Sequence, residues 1–210
     1  MTREEWLVER RKYITGTQIA SLFGLNPYKS INRIMKEKAA GIELIDNVYM
    51  RRGRILEPAI IQAVNELTEF EATVPQHKFF INSSIAVTLD GWIKRGPDYG
   101  PIECKTINNI DKFFNTKLKY VYLLQLICQM LCVTCTTGKL AFFNLKEGIE
   151  FFFIELMGDP DLSGFEKILI AEASRALEEK EAYTKNIENC RFVQQELDNL
   201  ELYVFKERIV

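Results

Sequence analysis

Residues 85–106 read IAVTLDGWIKRGPDYGPIECKT, from Ile85 to Thr106, and their pattern decides the fold. Two apolar runs flank the turn formers Gly96-Pro97-Asp98-Tyr99-Gly100, so the stretch is predicted to be two strands joined by a turn. Side chains alternate across a strand. Thr88, Asp90 and Trp92 are therefore expected on one face, with Ile85, Val87, Leu89 and Ile93 on the other. On the second strand Glu103 and Lys105 share a face, opposite Ile102 and Cys104. Two carboxylates and a lysine thus converge on one side of a hairpin whose other side is apolar. Charges that must be desolvated together pair with one another or hold a metal. An enzyme is the hypothesis this constellation supports.

Upstream, Thr2 followed by Glu5 is a capping-box pattern for a helix over residues 3–12, ending in Arg10-Arg11-Lys12. Thr15 or Thr17 can cap a second helix that runs to Leu22 and stops at Gly24. Asn26-Pro27-Tyr28 forms a turn, and Ser30 caps a third helix ending at Gly41. Residues 47–69 carry Ile55, Ala59, Ile60, Ala63 and Leu67 at helical spacing. Pro58 is expected to kink this helix or open its second part, which leaves Glu57 on irregular backbone. Strands follow at 70–75 and 77–82. Downstream, one long helix is predicted from Asp111 to Val133, with Tyr122, Gln125 and Gln129 on a single face. Gly138–Leu145 and Ile149–Leu156 read as a hairpin of central strands, and Asp161 or Ser163 caps a last helix over 163–188. Residues 190–210 show no readable pattern. This order predicts an α/β (α+β) fold, a central mixed β-sheet flanked by helices.

The 210 residues suit one domain spanning 1–210. Its predicted parts are a helical segment at 1–45, a core at 47–190 and a C-terminal extension at 191–210. Hydrophobic content of 47% beside 27% charged residues is that of a soluble globular chain. No apolar run is long enough to span a membrane, and MTREEWLVERRKY lacks the apolar core of a signal peptide. A cytoplasmic location is expected, with all five cysteines reduced. The net charge of −2 neither announces nor excludes a nucleic-acid partner, because the distribution of charge matters more than its sum.

Asp90, Glu103 and Lys105 suit phosphodiester hydrolysis. Mg²⁺ takes oxygen ligands from a few carboxylates and keeps sites for water and phosphate. Asp90, Glu103 and the backbone carbonyl of Cys104 can supply them, with one or two ions polarising a phosphoryl oxygen and acidifying an attacking water. Lys105 would orient that water or stabilise developing charge. A solvated hairpin face with a Glu–Lys pair accounts for the same residues without chemistry. Asp98, in the literal Pro97-Asp98, competes with Asp90 for the acid position, but five extended residues put it ~16 Å from Glu103. Asp90 can lie across the hairpin and is preferred. His77, the single histidine, is given no catalytic role. Cys128, Cys132 and Cys135 read as buried thiols on an apolar helix rather than cluster ligands.

Five segments in order carry a resemblance: Arg10 through ITGTQIASLFGLNPYKS, then GRILEP, LDGWI, IECK and YLLQLICQM. Together the chain resembles the lambda-exonuclease/YqaJ type of phage recombination exonuclease, within the PD-(D/E)xK nuclease superfamily. The resemblance implies a restriction-endonuclease-like core in which Asp90 and Glu103 bind Mg²⁺, or Mn²⁺ in its place, and Lys105 is catalytic. Glu57, within Gly53-x-x-x-Glu57-Pro58, matches an acid that helps bind the second metal or its water. Gln125 matches a glutamine near the scissile or terminal phosphate, and Arg10 with Thr17 a pocket for the 5′-phosphate. Thr88 matches a small hydroxyl residue before the catalytic acid, and Tyr122 a neighbour of the glutamine. Basic residues Arg51, Arg52, Arg54, Lys112, Lys117 and Lys119 are expected to follow the DNA backbone.

The implied activity is 5′→3′ digestion of one strand of linear double-stranded DNA in phage or prophage recombination. The implied partners are DNA ends, a single-strand annealing protein and further copies of the chain, since family members can form ring-shaped trimers. Two departures stand out: Leu89 replaces the usual Pro before the acid, and Thr17 stands where Ser is common. An endonuclease of the same superfamily, or a non-catalytic DNA-end-binding module, are the alternatives.

Overall fold

The computed structural model describes residues 3–42, 47–75, 79–146, 148–157 and 162–209. Thr2 and His77 lie outside these residues.

Three helices open the described chain: α1 (Arg3–Arg10), α2 (Gly16–Leu22) and α3 (Ile31–Ala39). A two-residue strand, β1 (Ile14–Thr15), separates the first two. Thr15 rather than Thr17 caps α2, and its N–H is met by Gln18 Oε1 at 3.1 Å. Ser30 caps α3 through the N–H of Arg33, as its position before an amphipathic run predicts. The long helix α4 (Val48–Leu67) is capped by Asn47, whose Oδ1 accepts from Tyr49 and Met50. Pro58 lies inside it, and the helix runs through without interruption. Glu57 is therefore on regular helix, not on irregular backbone. The reason is exposure: Pro58 faces solvent, where water can serve the carbonyl that its missing N–H leaves unpaired.

Six strands follow: β2 (Glu71–Thr73), β3 (Phe79–Asn82), β4 (Ile85–Thr88), β5 (Gly91–Arg95), β6 (Asp98–Ile107) and, after two helices, β7 (Lys139–Asn144). Those helices are α5 (Asp111–Asn115) and α6 (Leu118–Cys132). The single helix expected over this range is thus two, parted at Thr116, whose extended backbone cannot continue α5. The remainder is β8 (Glu150–Met157), α7 (Leu162–Glu179), a short 3₁₀ turn at Lys180–Ala182, α8 (Ile187–Asn199) and β9 (Glu201–Arg208). The last helix expected over 163–188 therefore ends early, and the unreadable C-terminal stretch is a helix and a strand.

The main sheet has the order β2-β5-β6-β7-β8-β9. Only β6 and β7 are parallel, joined by the crossover through α5 and α6; the other pairs are antiparallel. A second sheet, β1-β4-β3, holds the first half of the stretch that had read as one arm of a hairpin. The true hairpin is β5–β6, with Arg95 paired to Asp98 across Gly96-Pro97. Between β4 and β5 the chain passes from one sheet to the other at Leu89-Asp90. Buried Leu89 anchors the crossing. Gly91 permits it, because a Cβ there would lie 2.7 Å from both Ile61 and Ile102.

Alternation along β6 to β9 divides the core in two. Ile102, Cys104, Ala141, Phe143, Phe151 and Phe153 pack against Ile60, Ile61 and Val64 of α4. Leu140, Phe142, Phe152 and Ile154 face α6 and α7 on the other side. Helix α6 touches both sheets. Among the described residues no helix is long and apolar enough to cross a membrane.

At Gly100 the backbone of β6 comes close to that of the segment leading into β7. A Cβ there would stand 2.0 Å from the carbonyl oxygen of Thr137, so backbone and not a flexible side chain would have to move. Gly100→Ala is expected to cost about 2–3 kcal/mol in urea denaturation. A change under ~0.5 kcal/mol would mean that this approach is not tight in solution.

Candidate active site

Glu103 is carried by β6 on the face turned toward α6, and it is 1% exposed. A carboxylate in that position needs donors at both oxygens. Lys105, two residues along the strand, gives its ammonium to Oε1 in a short ion pair. Gln125 Nε2 donates to the same oxygen at 2.6 Å, and Gln129 Nε2 donates to Oε2. The two amides come from successive turns of α6, the i, i+4 spacing that places them on one face.

Asp90 stands at the crossing between the sheets, one residue before Gly91, which pairs with Ile102. Its Oδ2 accepts the N–H of Cys104 at 2.8 Å. The carbonyl of Cys104 leaves the strand on the same edge as its N–H and so also faces Asp90. Burial, and after it the charge of Asp90, push the Glu103 carboxyl up to about 7 against the pull of Lys105 and Gln129. Burial works to lower the Lys105 pKa, but Glu103 and Asp90 outweigh it and hold the ammonium firmly protonated. Glu57 approaches from α4 and, with Asp90 and Glu103, adds to the negative field at Cys104.

These residues open onto a cleft of about 330 Å³. Asp90, Glu103, Lys105, Glu57 and Gln125 line it together with Arg10, Thr17, Thr88 and Arg54. Nine of the side chains expected at a site thus share one cavity. Tyr122 does not reach it: its ring lies behind Lys105, 5.4 Å from Nζ, against Phe113 and Phe142. Of Cys104 only the backbone reaches the acids, the side chain being buried in the core under α4. Asp98 begins β6 at the far hairpin end, where it faces Arg95 at 3.9 Å, so Asp90 is the acid at the cleft.

Arg10 is held at the cleft by the turn that follows α1. Lys38 Nζ donates to the carbonyls of Tyr13 at 2.7 Å and of Arg10 at 3.3 Å, and Arg11 bonds to Gly41. Thr15 and Thr17 hydroxyls are 3.1 Å apart. Gly16, between them, lets α2 close on α6: a Cβ would lie 3.2 Å from Val87 and 3.4 Å from Gln125. The other basic residues do not line the cleft. Lys119 pairs with Asp198 at 2.9 Å, and Arg52 donates to Asn108 at 3.0 Å.

Sequence reasoning gave no role at the site to Gln129, Thr15 or Gly16, which also line the cleft. The signal for Gln129 was its position four residues after Gln125.

The donor set is all oxygen, two carboxylates and a strand carbonyl with a third carboxylate near, which suits a hard divalent cation. Among the described residues no three His, Cys, Asp or Glu side chains stand in ligating geometry together. The acid oxygens are instead turned to Lys105, Gln125, Gln129 and the N–H of Cys104.

A family model described as the YqaJ-like viral recombinase domain matches residues 5–139. Among solved structures, the alkaline exonuclease LHK-Exo from Laribacter hongkongensis is similar at 19% identity and a TM-score of 0.60, over 93% of this chain and 98% of that one. LHK-Exo in complex with dAMP is similar at 20% identity and a TM-score of 0.57, over 93% and 94%. No curated protein sequence matches the chain.

Lys105 is the counter-charge for a buried acid, so Lys105→Met is expected to lose about 3 kcal/mol of stability at pH 8 in denaturant titrations. The loss should shrink below pH 6. Glu103 has a native pKa above its unfolded value, so burial favours its protonated form, and that form needs no ammonium. Equal stability of variant and wild type at pH 8 would remove Lys105 from this role.

Proposed function

Because the chain belongs to the YqaJ-like viral recombinase domain family, we propose that it is a Mg²⁺-dependent exonuclease that degrades one strand of linear double-stranded DNA from its 5′ end. One observation carries the proposal: Asp90, Glu103 and Lys105 share a cleft with Arg10 and Thr17, so acids for a metal and a cation for a phosphate face one substrate-sized space. The similar solved structures are of an exonuclease, in one case bound to dAMP, which agrees with this chemistry.

Asp90, Glu103, the Cys104 carbonyl and Glu57 would hold the ion. When bound, Mg²⁺ supplies Lewis-acid polarisation of the phosphoryl oxygen and a more acidic attacking water. Lys105 then lies where its ammonium can steer the nucleophile and offset charge that builds on the phosphate. Gln125 holds Glu103 and points its amide at the same space. Arg10, with its fork of donors, and the Thr17 hydroxyl fit the dianion of a 5′-phosphate, so a chain end is recognised in preference to an internal phosphodiester. Tyr122 offers its ring face to the Lys105 ammonium, 5.4 Å away. Digestion from 5′ ends leaves a 3′ single strand, the substrate of an annealing protein, and further copies of the chain could enclose the duplex. The setting is the bacterial cytoplasm.

The test is digestion of linear duplex DNA labelled at each 5′ or 3′ end, beside a closed circle, with Mg²⁺ and with chelator. Label is expected to leave from 5′ ends alone, with the circle intact and Asp90→Ala and Lys105→Ala inactive by at least ~100-fold. Cuts in the circle would assign an endonuclease, and no hydrolysis with Mg²⁺ or Mn²⁺ would assign a DNA-end-binding module. Arg10→Ala is expected to lose most of the preference for 5′-phosphate over 5′-hydroxyl ends. An unchanged ratio of the two rates would place the phosphate elsewhere.

A further inference from the structure

Gln129 is fully buried and lines the cleft. Its Nε2 gives one hydrogen to Glu103 Oε2 and the other to the carbonyl of Thr88 at 3.1 Å. Both partners are acceptors, so the orientation of the amide is fixed: turned over, it would set an oxygen against two oxygens. Thr88 ends β4, two residues before Asp90, whereas Glu103 is on β6 of the other sheet. One amide therefore joins the two segments that carry the two acids. It does so just outside the β5–β6 ladder, which ends at the pair Gly91–Ile102, and on the Glu103 side of the bond from the Cys104 N–H to Asp90. Gln129 Oε1 is buried and has no hydrogen-bond partner among the described residues, an unused acceptor on a side chain that lines the cleft.

We propose that Gln129 is a positioning residue that fixes the separation and orientation of Asp90 and Glu103, and so sets how tightly the site takes a divalent cation. The proposal rests on the metal-dependent hydrolase described above. Gln125 grips Glu103 from the same helix but does not reach the Asp90 segment, so the two glutamines are not interchangeable. Without Gln129, Glu103 keeps Lys105 and Gln125 at Oε1, while Oε2 loses its donor and the end of β4 loses its tie to α6. Outer contacts of this kind hold ligands in place, and their loss weakens metal binding by about 10–100-fold.

The experiment measures binding of Ca²⁺ by calorimetry and of Mn²⁺ by electron paramagnetic resonance, at one pH and without DNA. It compares wild type, Gln129→Met, Gln129→Asn and Asp90→Asn. Methionine keeps the volume and loses both hydrogen bonds; asparagine keeps the amide and withdraws it by one methylene. Both Gln129 variants are expected to bind about tenfold or more weakly than wild type, with melting temperatures in chelator within a few degrees of it. If the methionine variant does not fold, the asparagine variant decides. Unchanged affinity in the folded Gln129 variants, with or without a fall in melting temperature, would leave Gln129 a packing residue and overturn the proposal. Cation binding by wild type that Asp90→Asn abolishes, beside unaltered Gln129 variants, overturns this proposal alone. A wild type that takes up no cation overturns the hydrolase as well.

Discussion

Desolvating the Glu103 carboxylate imposes conditions on much of the molecule. At 1% exposure it has lost its water, and each lost contact must be replaced by a donor from the protein. The replacements come from two places: Lys105 on the same strand, and Gln125 and Gln129 on the crossover helix α6. For both amides to reach, α6 must lie close over the sheet. That closeness in turn requires the small residues at Gly16 and Gly138, where a Cβ would press on Val87 or Met130. The packing of the crossover and the chemistry of the cleft are consequences of one buried charge.

The scaffold brings the remaining side chains to that charge from separate directions. The two sheets meet at Leu89-Asp90, and α6 spans both, so Asp90 is offered at a seam rather than from the middle of a ladder. Helix α4 covers the opposite face of β6 and β7 and delivers Glu57 and Arg54 to the mouth of the cleft. The N-terminal helices contribute Arg10 and Thr17, and Lys38 of α3 fixes the turn beside Arg10 by capping its carbonyls. Negative side chains thus come from β6, the seam at Asp90 and α4, and the cations from α4, the N-terminal helices and Lys105.

The parts legible in the sequence were those governed by a regular period. Along β6 the alternation of Ile102, Glu103, Cys104 and Lys105 predicted which side chains face which layer, because the strand is uninterrupted there. The same rule failed upstream. Ile85 to Ile93 keep an alternating look, yet the chain changes sheets at Leu89-Asp90, and that event depends on a close approach to Ile61 and Ile102 that no local pattern records. Pro58 argued for a break that solvent exposure makes unnecessary. Strand β9 escaped notice since it lies at a sheet edge, where Tyr203 and Val204 stay partly exposed on opposite faces and blur the period. For the cleft, Gln125 and Gln129 were visible as neighbours on a helix, but the Thr88 carbonyl that gives Gln129 its second partner is a backbone group and leaves no trace in residue identity.

The parallel pairing of β6 with β7 has a bearing on how the protein comes into being on the ribosome. The β5–β6 hairpin is local and can zip as soon as it leaves the exit tunnel, whereas β6 gains its other neighbour only after α5, α6 and the whole crossover have been made. Until α6 docks, Glu103 lacks the amides of Gln125 and Gln129 and β6 keeps one open edge. The cleft is created late, in the same collapse that seals the edge of β6 against association with neighbouring chains.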